Sequence, residues 1–273
     1  MASSSYTDAI MLFGDSLTQA ASAGSLDQRM SEYYMRRCDV VNRGYGGYNS
    51  DWAIPVFEQV FATKEAREKG HAQHVKLITI WLVGANDATL PDTPQYVPLD
   101  RYKDNLAKLI KFIKDPASAY YSPETKIVLI NAPPIIESAW VEARIEKWKS
   151  FGSEGPKPEQ NRDRKITKQY ADAALEVGKE QGVEAVDLWT AIVEAAGGEG
   201  ADQLAPYFYD GLHLTSEGYA VLFKALSTLI VSKFPELNPE KMPMRMPHWA
   251  DVDLANPREA FDKVKKGRLA GEL

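Results

Sequence analysis

The chain has 273 residues, 44% hydrophobic and 26% charged, with a net charge of −6. This composition suits a globular protein with a full core, and the acidic balance excludes the basic face on which general nucleic-acid binders rely. Cys38 is the single cysteine, which excludes an internal disulfide and fits a reducing compartment, the cytoplasm.

In chain order, the first eight residues lack the basic start and apolar core of a secretory signal. An apolar run over 10–13 predicts a strand that breaks at Gly14-Asp-Ser-Leu17. A helix is predicted near 25–37, with Cys38 at its end as a small buried side chain, followed by a strand over 39–42. The turn Arg43-Gly-Tyr-Gly-Gly-Tyr-Asn49 leads to a helix near 51–69. A strand over 75–83 ends at Gly84-Ala-Asn-Asp87. Then come a helix near 100–115, a strand over 126–131, a helix near 160–181, a strand over 183–187, and helices near 190–197 and 216–233. Each strand run is brief, apolar on both faces and followed by a Gly, Pro or Asn/Asp breaker. That pattern predicts a parallel sheet covered on both sides, an α/β doubly wound fold. No run approaches the roughly eighteen apolar residues of a membrane span.

Beyond Phe234 the pattern changes. Pro235, Pro239, Pro243 and Pro247 interrupt regular structure, and residues 242–249 should run extended. The expected division is a domain over 1–234 and a proline-rich arm over 235–273. On the arm, Met244, Met246 and Trp249 either pack back onto the domain or seek a second copy, making a homo-oligomer through this segment.

The chemistry starts at Ser16, a hydroxyl on a strand-to-helix turn. A serine becomes a nucleophile only beside a base, so the four histidines are the next question. His71 and His74 lie in a highly charged helix end; their H-x-x-H spacing lacks further ligands for a metal. His248 lies on the arm. His213 stands in Tyr209-Asp-Gly-Leu-His-Leu-Thr-Ser-Glu-Gly-Tyr219, just ahead of an apolar-periodic helix. Asp210, three residues earlier, either orients one ring nitrogen of His213 or merely caps a turn beside a surface histidine. Gly211 gives that turn its backbone freedom, and Thr215 is the predicted N-cap of the helix. Donors for a tetrahedral oxyanion should follow other strands at the same sheet edge. The glycines after the second strand and the Asn86 amide after the third are the candidates.

Gly-Asp-Ser-Leu at 14–17, the glycine turn at 44–47, Gly-Ala-Asn-Asp at 84–87 and Asp-Gly-Leu-His at 210–213 resemble, in order and spacing, the four blocks of the SGNH (GDSL) hydrolase superfamily. Val41-Asn-Arg-Gly-Tyr-Gly-Gly-Tyr-Asn-Ser-Asp-Trp52 and Val186-Asp-Leu-Trp-Thr190 extend the likeness to its isoamyl acetate-hydrolysing esterase branch, over about residues 8–233. The resemblance implies a three-layer α/β/α fold around a five-stranded, mainly parallel, flavodoxin-like sheet. It also implies Ser16 as nucleophile, His213 as general base and Asp210 as its orienting carboxylate. The oxyanion hole would be the backbone N–H groups of Ser16 and Gly47 and the Asn86 side chain, with Asp15 and Asp87 as loop supports. Gly46 stands where this branch commonly carries a small hydroxyl residue. Leu17, Tyr48, Ala88 and Leu212 neighbour these positions and either line the substrate pocket or pack locally.

The expected activity is hydrolysis of small, short-chain carboxylic esters through an acyl-serine, with no metal and no organic cofactor. The same triad would serve a carbohydrate O-deacetylase or an acyltransferase. A non-catalytic binding module on this fold is the alternative from another class. The expected partner is a small ester, with neither nucleic acid nor membrane.

Overall fold

Five strands, β1 (Ala9–Gly14), β2 (Asp39–Gly44), β3 (Val75–Trp81), β4 (Lys126–Ile130) and β5 (Glu184–Val186), pair in parallel in the order β2-β1-β3-β4-β5. They belong to a computed structural model that describes residues 7–82 and 84–262. Val83, the end of the third predicted strand, lies outside the described residues. The helices are α1 (Ser16–Gln19), α2 (Leu26–Tyr33), α3 (Ser50–Val60), α4 (Lys64–Glu68), α5 (Leu99–Lys114), α6 (Glu137–Ser150), α7 (Arg164–Gln181), α8 (Leu188–Ala196), α9 (Ala201–Leu204) and α10 (Ser216–Lys233).

Alternate side chains of a strand point to opposite faces, and here both faces are apolar. Ile10, Leu12, Leu77, Val128 and Val186 meet Leu26 and Met30 of α2, Ile192 of α8 and Leu222, Leu226 and Ile230 of α10. Met11, Phe13, Ile78, Ile80, Ile127 and Leu129 meet Phe57 of α3, Leu106, Leu109 and Ile113 of α5, and Val177 of α7. The continuous apolar runs in the sequence have this origin. The doubly covered parallel sheet is the architecture expected, and its strand order reverses direction at β1, the switch point where open sheets place ligands.

Two helical expectations change. The single helix near 51–69 is two, α3 and α4, because Phe61 turns extended to bury its ring and Thr63 starts a new helix by accepting from the Ala66 N–H. Helix α6 was not expected at all. None of its residues is buried, and on a 3.6-residue period Arg144 falls between Trp140 and Trp148. A search for core stripes passes over such a helix.

The C-terminal segment is tied down through its backbone. Tyr34 Oη donates to Leu237 O at 2.9 Å, Arg245 N to Arg36 O at 2.8 Å, and Arg36 Nη2 to Pro247 O at 2.7 Å. Leu237 is buried and Met242 packs against the core, whereas Met244, Met246 and Trp249 face outward at 41%, 51% and 79% exposure.

Phe57 is fully buried, stacked on Phe61 and Phe112 with Phe13 edge-on. Phe57→Ala should cost about 3–5 kcal/mol, read as a lower denaturant midpoint at an unchanged slope.

Candidate active site

Strand β1 ends at Gly14, and the next residue sets the geometry of the following turn. Asp15 is buried, and its Oδ1 accepts the Leu17 N–H at 3.0 Å, capping α1. Ser16 is therefore the first residue of a short helical turn at the C-terminal edge of the sheet, half-buried, with its neighbours Leu17 and Thr18 enclosed.

The histidine loop reaches it from the far end of the domain. Asp210 Oδ1 accepts the backbone N–H groups of Leu212 and His213 at 2.9 and 2.7 Å, so the carboxylate organises its own turn. Its other oxygen lies 2.7 Å from His213 Nδ1, and His213 Nε2 lies 2.9 Å from Ser16 Oγ. An ionised carboxylate only accepts, so Nδ1 carries the proton and Nε2 presents its lone pair to the serine hydroxyl. The alternative of a capping Asp beside a surface His does not describe this loop, because one carboxylate does both tasks. Burial by itself would raise the Asp210 pKa. The hydrogen bonds from the His213 ring and from the His213 and Leu212 N–H groups outweigh it and hold the carboxyl below its usual range.

Two contacts fix the loop. Gly211 has φ +85°, and a Cβ there would stand 2.4 Å from Ile136 O, so the chain can press against the start of α6 only as glycine. Thr215 caps α10, and Tyr219 Oη, one turn into that helix, donates to Leu17 O at 2.7 Å. The His213 ring stacks on Tyr209 at 5.6 Å and faces Trp140 of α6 at 6.0 Å. The other three histidines, His71, His74 and His248, are exposed.

Strands β2 and β3 flank β1 and bring the candidate oxyanion donors. Gly47 adopts φ +81°, which turns the chain over Ser16; a Cβ on the adjacent Gly46 would lie 3.7 Å from Ser16 Cβ. Gly46 N donates to Gln19 Oε1, which fastens this turn to the helix that carries the serine. Asn86 is buried, and its Nδ2 donates to Tyr48 O at 2.9 Å. Gln95 links the two turns, donating to Gly47 O at 2.7 Å and to Asn86 Oδ1 at 3.3 Å. Arg162 Nη2 donates to the same Asn86 Oδ1 at 3.0 Å. Asp87 Oδ1 accepts from Ser50 N at 2.9 Å, joining the β3 turn to the start of α3.

Of the four residues expected either to line a pocket or to pack locally, Leu17, Ala88 and Leu212 lie within the two core clusters. Tyr48 is 37% exposed. Sequence reasoning missed Gln95, Trp140 and Arg162. Gln95 and Arg162 sit in loops with no motif around them, and Trp140 sits on the unforeseen α6. The constellation is competent for acyl transfer: a hydroxyl, a base with one free lone pair, a carboxylate behind it and amide donors on adjacent strands.

Residues 12–221 match the GDSL-like lipase/acylhydrolase family. A GDSL esterase/lipase of Arabidopsis thaliana is 35% identical over 258 residues, 93% of this chain and 97% of that protein. The human isoamyl acetate-hydrolyzing esterase 1 homolog is 32% identical over 251 residues, covering 91% and 89%. The Saccharomyces cerevisiae isoamyl acetate-hydrolyzing esterase is 28% identical over 252 residues, covering 89% and 94%. Among solved structures, a lipase/acylhydrolase from Enterococcus faecalis superposes with a TM-score of 0.56 at 19% identity, covering 88% of this chain and 100% of that one. An acetylxylan esterase from Geobacillus stearothermophilus gives 0.55 at 18%, covering 82% and 94%. These two likenesses concern the fold.

Asp87 is fully enclosed, and its Oδ2 has no hydrogen-bond partner among the described residues. Burial pushes its carboxyl up to about 7, against the bond from Ser50. A pKa raised on folding stabilises the protein fully below the unfolded value, and this contribution fades as pH rises toward the folded one. Asp87→Asn should therefore flatten the fall in thermal midpoint between about pH 4 and 7, a window set by these pKa values. Parallel slopes for the two proteins across that window would refute the assignment.

Proposed function

The chain belongs to the GDSL-like lipase/acylhydrolase family, and from that premise we propose that it cleaves small, short-chain carboxylic esters, acetates foremost, through an acyl-serine intermediate. It is a carboxylic ester hydrolase, as its relatives are. The observation that carries the mechanism is the unbroken chain Ser16 Oγ, His213 Nε2, His213 Nδ1, Asp210 Oδ2, with links of 2.9 and 2.7 Å at either side of the ring.

In the proposed reaction, Ser16 Oγ attacks the ester carbonyl while His213 Nε2 takes its proton. Asp210 stabilises the imidazolium that results. The negative oxygen of the tetrahedral intermediate is held by the N–H groups of Ser16 and Gly47 and by the Asn86 amide. His213 then gives its proton to the departing alcohol, and water repeats the sequence to release the acid. The groups named supply nucleophile, proton transfer and charge stabilisation, so the reaction calls for no metal or organic cofactor.

Acetate as the preferred acyl group has two supports. Two of the relatives are named for isoamyl acetate. The side chains of Leu17, Ala88 and Leu212, next to the reacting positions, are taken up by the core, which suits a short acyl group. Tyr48 is proposed to contact substrate. A sugar acetate is the second reading, favoured by the exposed rings of Tyr48, Trp52 and Tyr209 at 37%, 41% and 69%; transfer of the acyl group to an alcohol would use the same machinery. A cytoplasmic location belongs to the proposal and rests on the single cysteine, Cys38, which is buried and free. No helix among the described residues is long and apolar enough to cross a membrane. The outward Met246 and Trp249 support an arm that contacts a second copy.

Ser16→Ala should abolish turnover of p-nitrophenyl acetate, and equal rates in the two proteins would sink the serine mechanism. Asn86→Ala should lower kcat about 10²–10³-fold. With alkyl esters of increasing acyl length, kcat/KM should be highest for acetate; a maximum at long chains or at acetylated sugars would redirect the substrate assignment.

A further inference from the structure

Arg162 is a full positive charge enclosed beside the proposed oxyanion site, and the ester chemistry above makes no use of it. The residue is 3% exposed. None of the ion pairs among the described residues includes it. Its donors go instead to uncharged oxygens: Nε to Ala85 O at 2.9 Å, Nη2 to Asn86 Oδ1 at 3.0 Å and Nη1 to Asn161 Oδ1 at 3.3 Å. The guanidinium lies 4.7 Å from the centroid of Trp140, whose Nε1 donates to Asn161 Oδ1 at 3.0 Å. Burial lowers its pKa to about 10, so it stays charged through the neutral range. An enclosed cation whose hydrogen-bond acceptors are all neutral, with the Asp15 and Asp210 carboxylates acting on it only from beyond ion-pair distance, is an expensive arrangement. Its side-chain hydrogen bonds go to residues 85 and 86 and to the adjacent Asn161.

The Asn86 amide has two orientations that differ by exchange of oxygen and nitrogen. Here one end meets the guanidinium and the Gln95 amide nitrogen, which only donate, and the other meets Tyr48 O, which only accepts. A flipped amide would set N–H against N–H and carbonyl against carbonyl. One orientation alone is satisfied, and it leaves the second Nδ2 hydrogen free of the Tyr48 contact. A cation on Oδ1 also draws electron density from nitrogen, which makes that N–H a stronger donor in a site of low dielectric.

We propose that Arg162 is a positioning residue for ester hydrolysis: it locks the Asn86 amide with an N–H toward the developing oxyanion and polarises it, acting through Asn86 without touching the substrate. This rests on the reading of Asn86 as an oxyanion donor. Gln95 is the second, weaker grip on the same oxygen.

The test is a double-mutant cycle on p-nitrophenyl acetate with Arg162→Met, Asn86→Ala and the combination. Arg162→Met should lower kcat by about 10-fold or more, inside the limit set by deleting the donor itself, with KM little changed. Affinity for an alkylboronic acid, whose serine adduct mimics the tetrahedral oxyanion, should fall by a similar factor. In the Asn86→Ala background the Arg162 substitution should add little, because coupled residues are not additive. A full additive loss in that background, an effect on KM alone, or unchanged boronate affinity would overturn the proposal. Should the Met variant not fold, Arg162→Lys carries the same cycle, since one ammonium cannot grip Ala85 O and Asn86 Oδ1 as the planar fork does. The two readings fail separately. Turnover unaffected by Ser16→Ala would remove the ester mechanism, whereas loss on Ser16→Ala and Asn86→Ala with wild-type kinetics in both Arg162 variants would remove only the role of Arg162.

Discussion

Ser16 and His213 are 197 residues apart in sequence, and the hydrogen bond from Tyr219 Oη to Leu17 O holds the two ends of the chain in reach. Both groups are buried, and the Tyr219 ring meets Trp81 at the end of β3 edge-on. The bond is one turn into α10 and one residue past the serine, so it couples the start of that helix directly to the turn after β1. A carbonyl left unpaired in such a place carries a full desolvation penalty. Packing of α10 on α2 and α8 places the helix against the sheet; the tyrosine sets where along the sheet its first turn stops.

The remaining parts follow from strand order. In a parallel sheet every strand delivers its next loop to the same edge, and β2, β1 and β3 are neighbours. Gly47, Ser16 and Asn86 thus lie in the turns that leave adjacent strands at one edge. The loops then need only local ties. Gln19 holds Gly46, Gln95 joins Gly47 to Asn86, and Asp87 joins the β3 turn to Ser50. None of these ties involves the His213 loop, which rests against α6 through Gly211 and Ile136. The two halves of the site meet at the imidazole, at the Tyr219 bond to Leu17 O and at Trp140, which lies against both His213 and Arg162.

This division accounts for what the sequence discloses. The inner strands β1, β3 and β4 are legible because both of their faces are buried, which leaves continuous apolar runs, while the edge strand β2 has no buried residue. The serine, the glycine turn, Asn86 and Asp210–His213 are legible only as a set: each segment alone reads equally as an ordinary turn, and the order and spacing of the four blocks carry the resemblance that assigns their roles. Asp210 is within three residues of the nitrogen it orients. Arg162 and Gln95 reach Asn86 from 76 and 9 residues away through side chains with no neighbouring pattern, and nothing local marks an arginine as buried. Helix α6 escaped for a related reason: its value is the wall it offers to His213 and Arg162 through Trp140, while none of its residues is buried and only Ala139 and Trp140 pack against the core.

Buried charge gathers where the chemistry is, which is where local rules of burial are expected to break. Asp15, Asp87 and Arg162 are each under 4% exposed, at positions next to or touching the proposed nucleophile and oxyanion donor. Their signs matter. A cation on the Asn86 amide favours negative charge on the substrate oxygen, whereas an ionised Asp87, one residue on, would oppose it at short range in a medium that screens poorly. Enclosure and the nearby Asp15 charge push the Asp87 carboxyl up to about 7, so part of it is uncharged at neutral pH and its opposition to Arg162 grows as pH rises. The burial that makes stability fall as pH rises through this window would weaken the proposed effect of Arg162 in the same direction, because both turn on the protonation of Asp87.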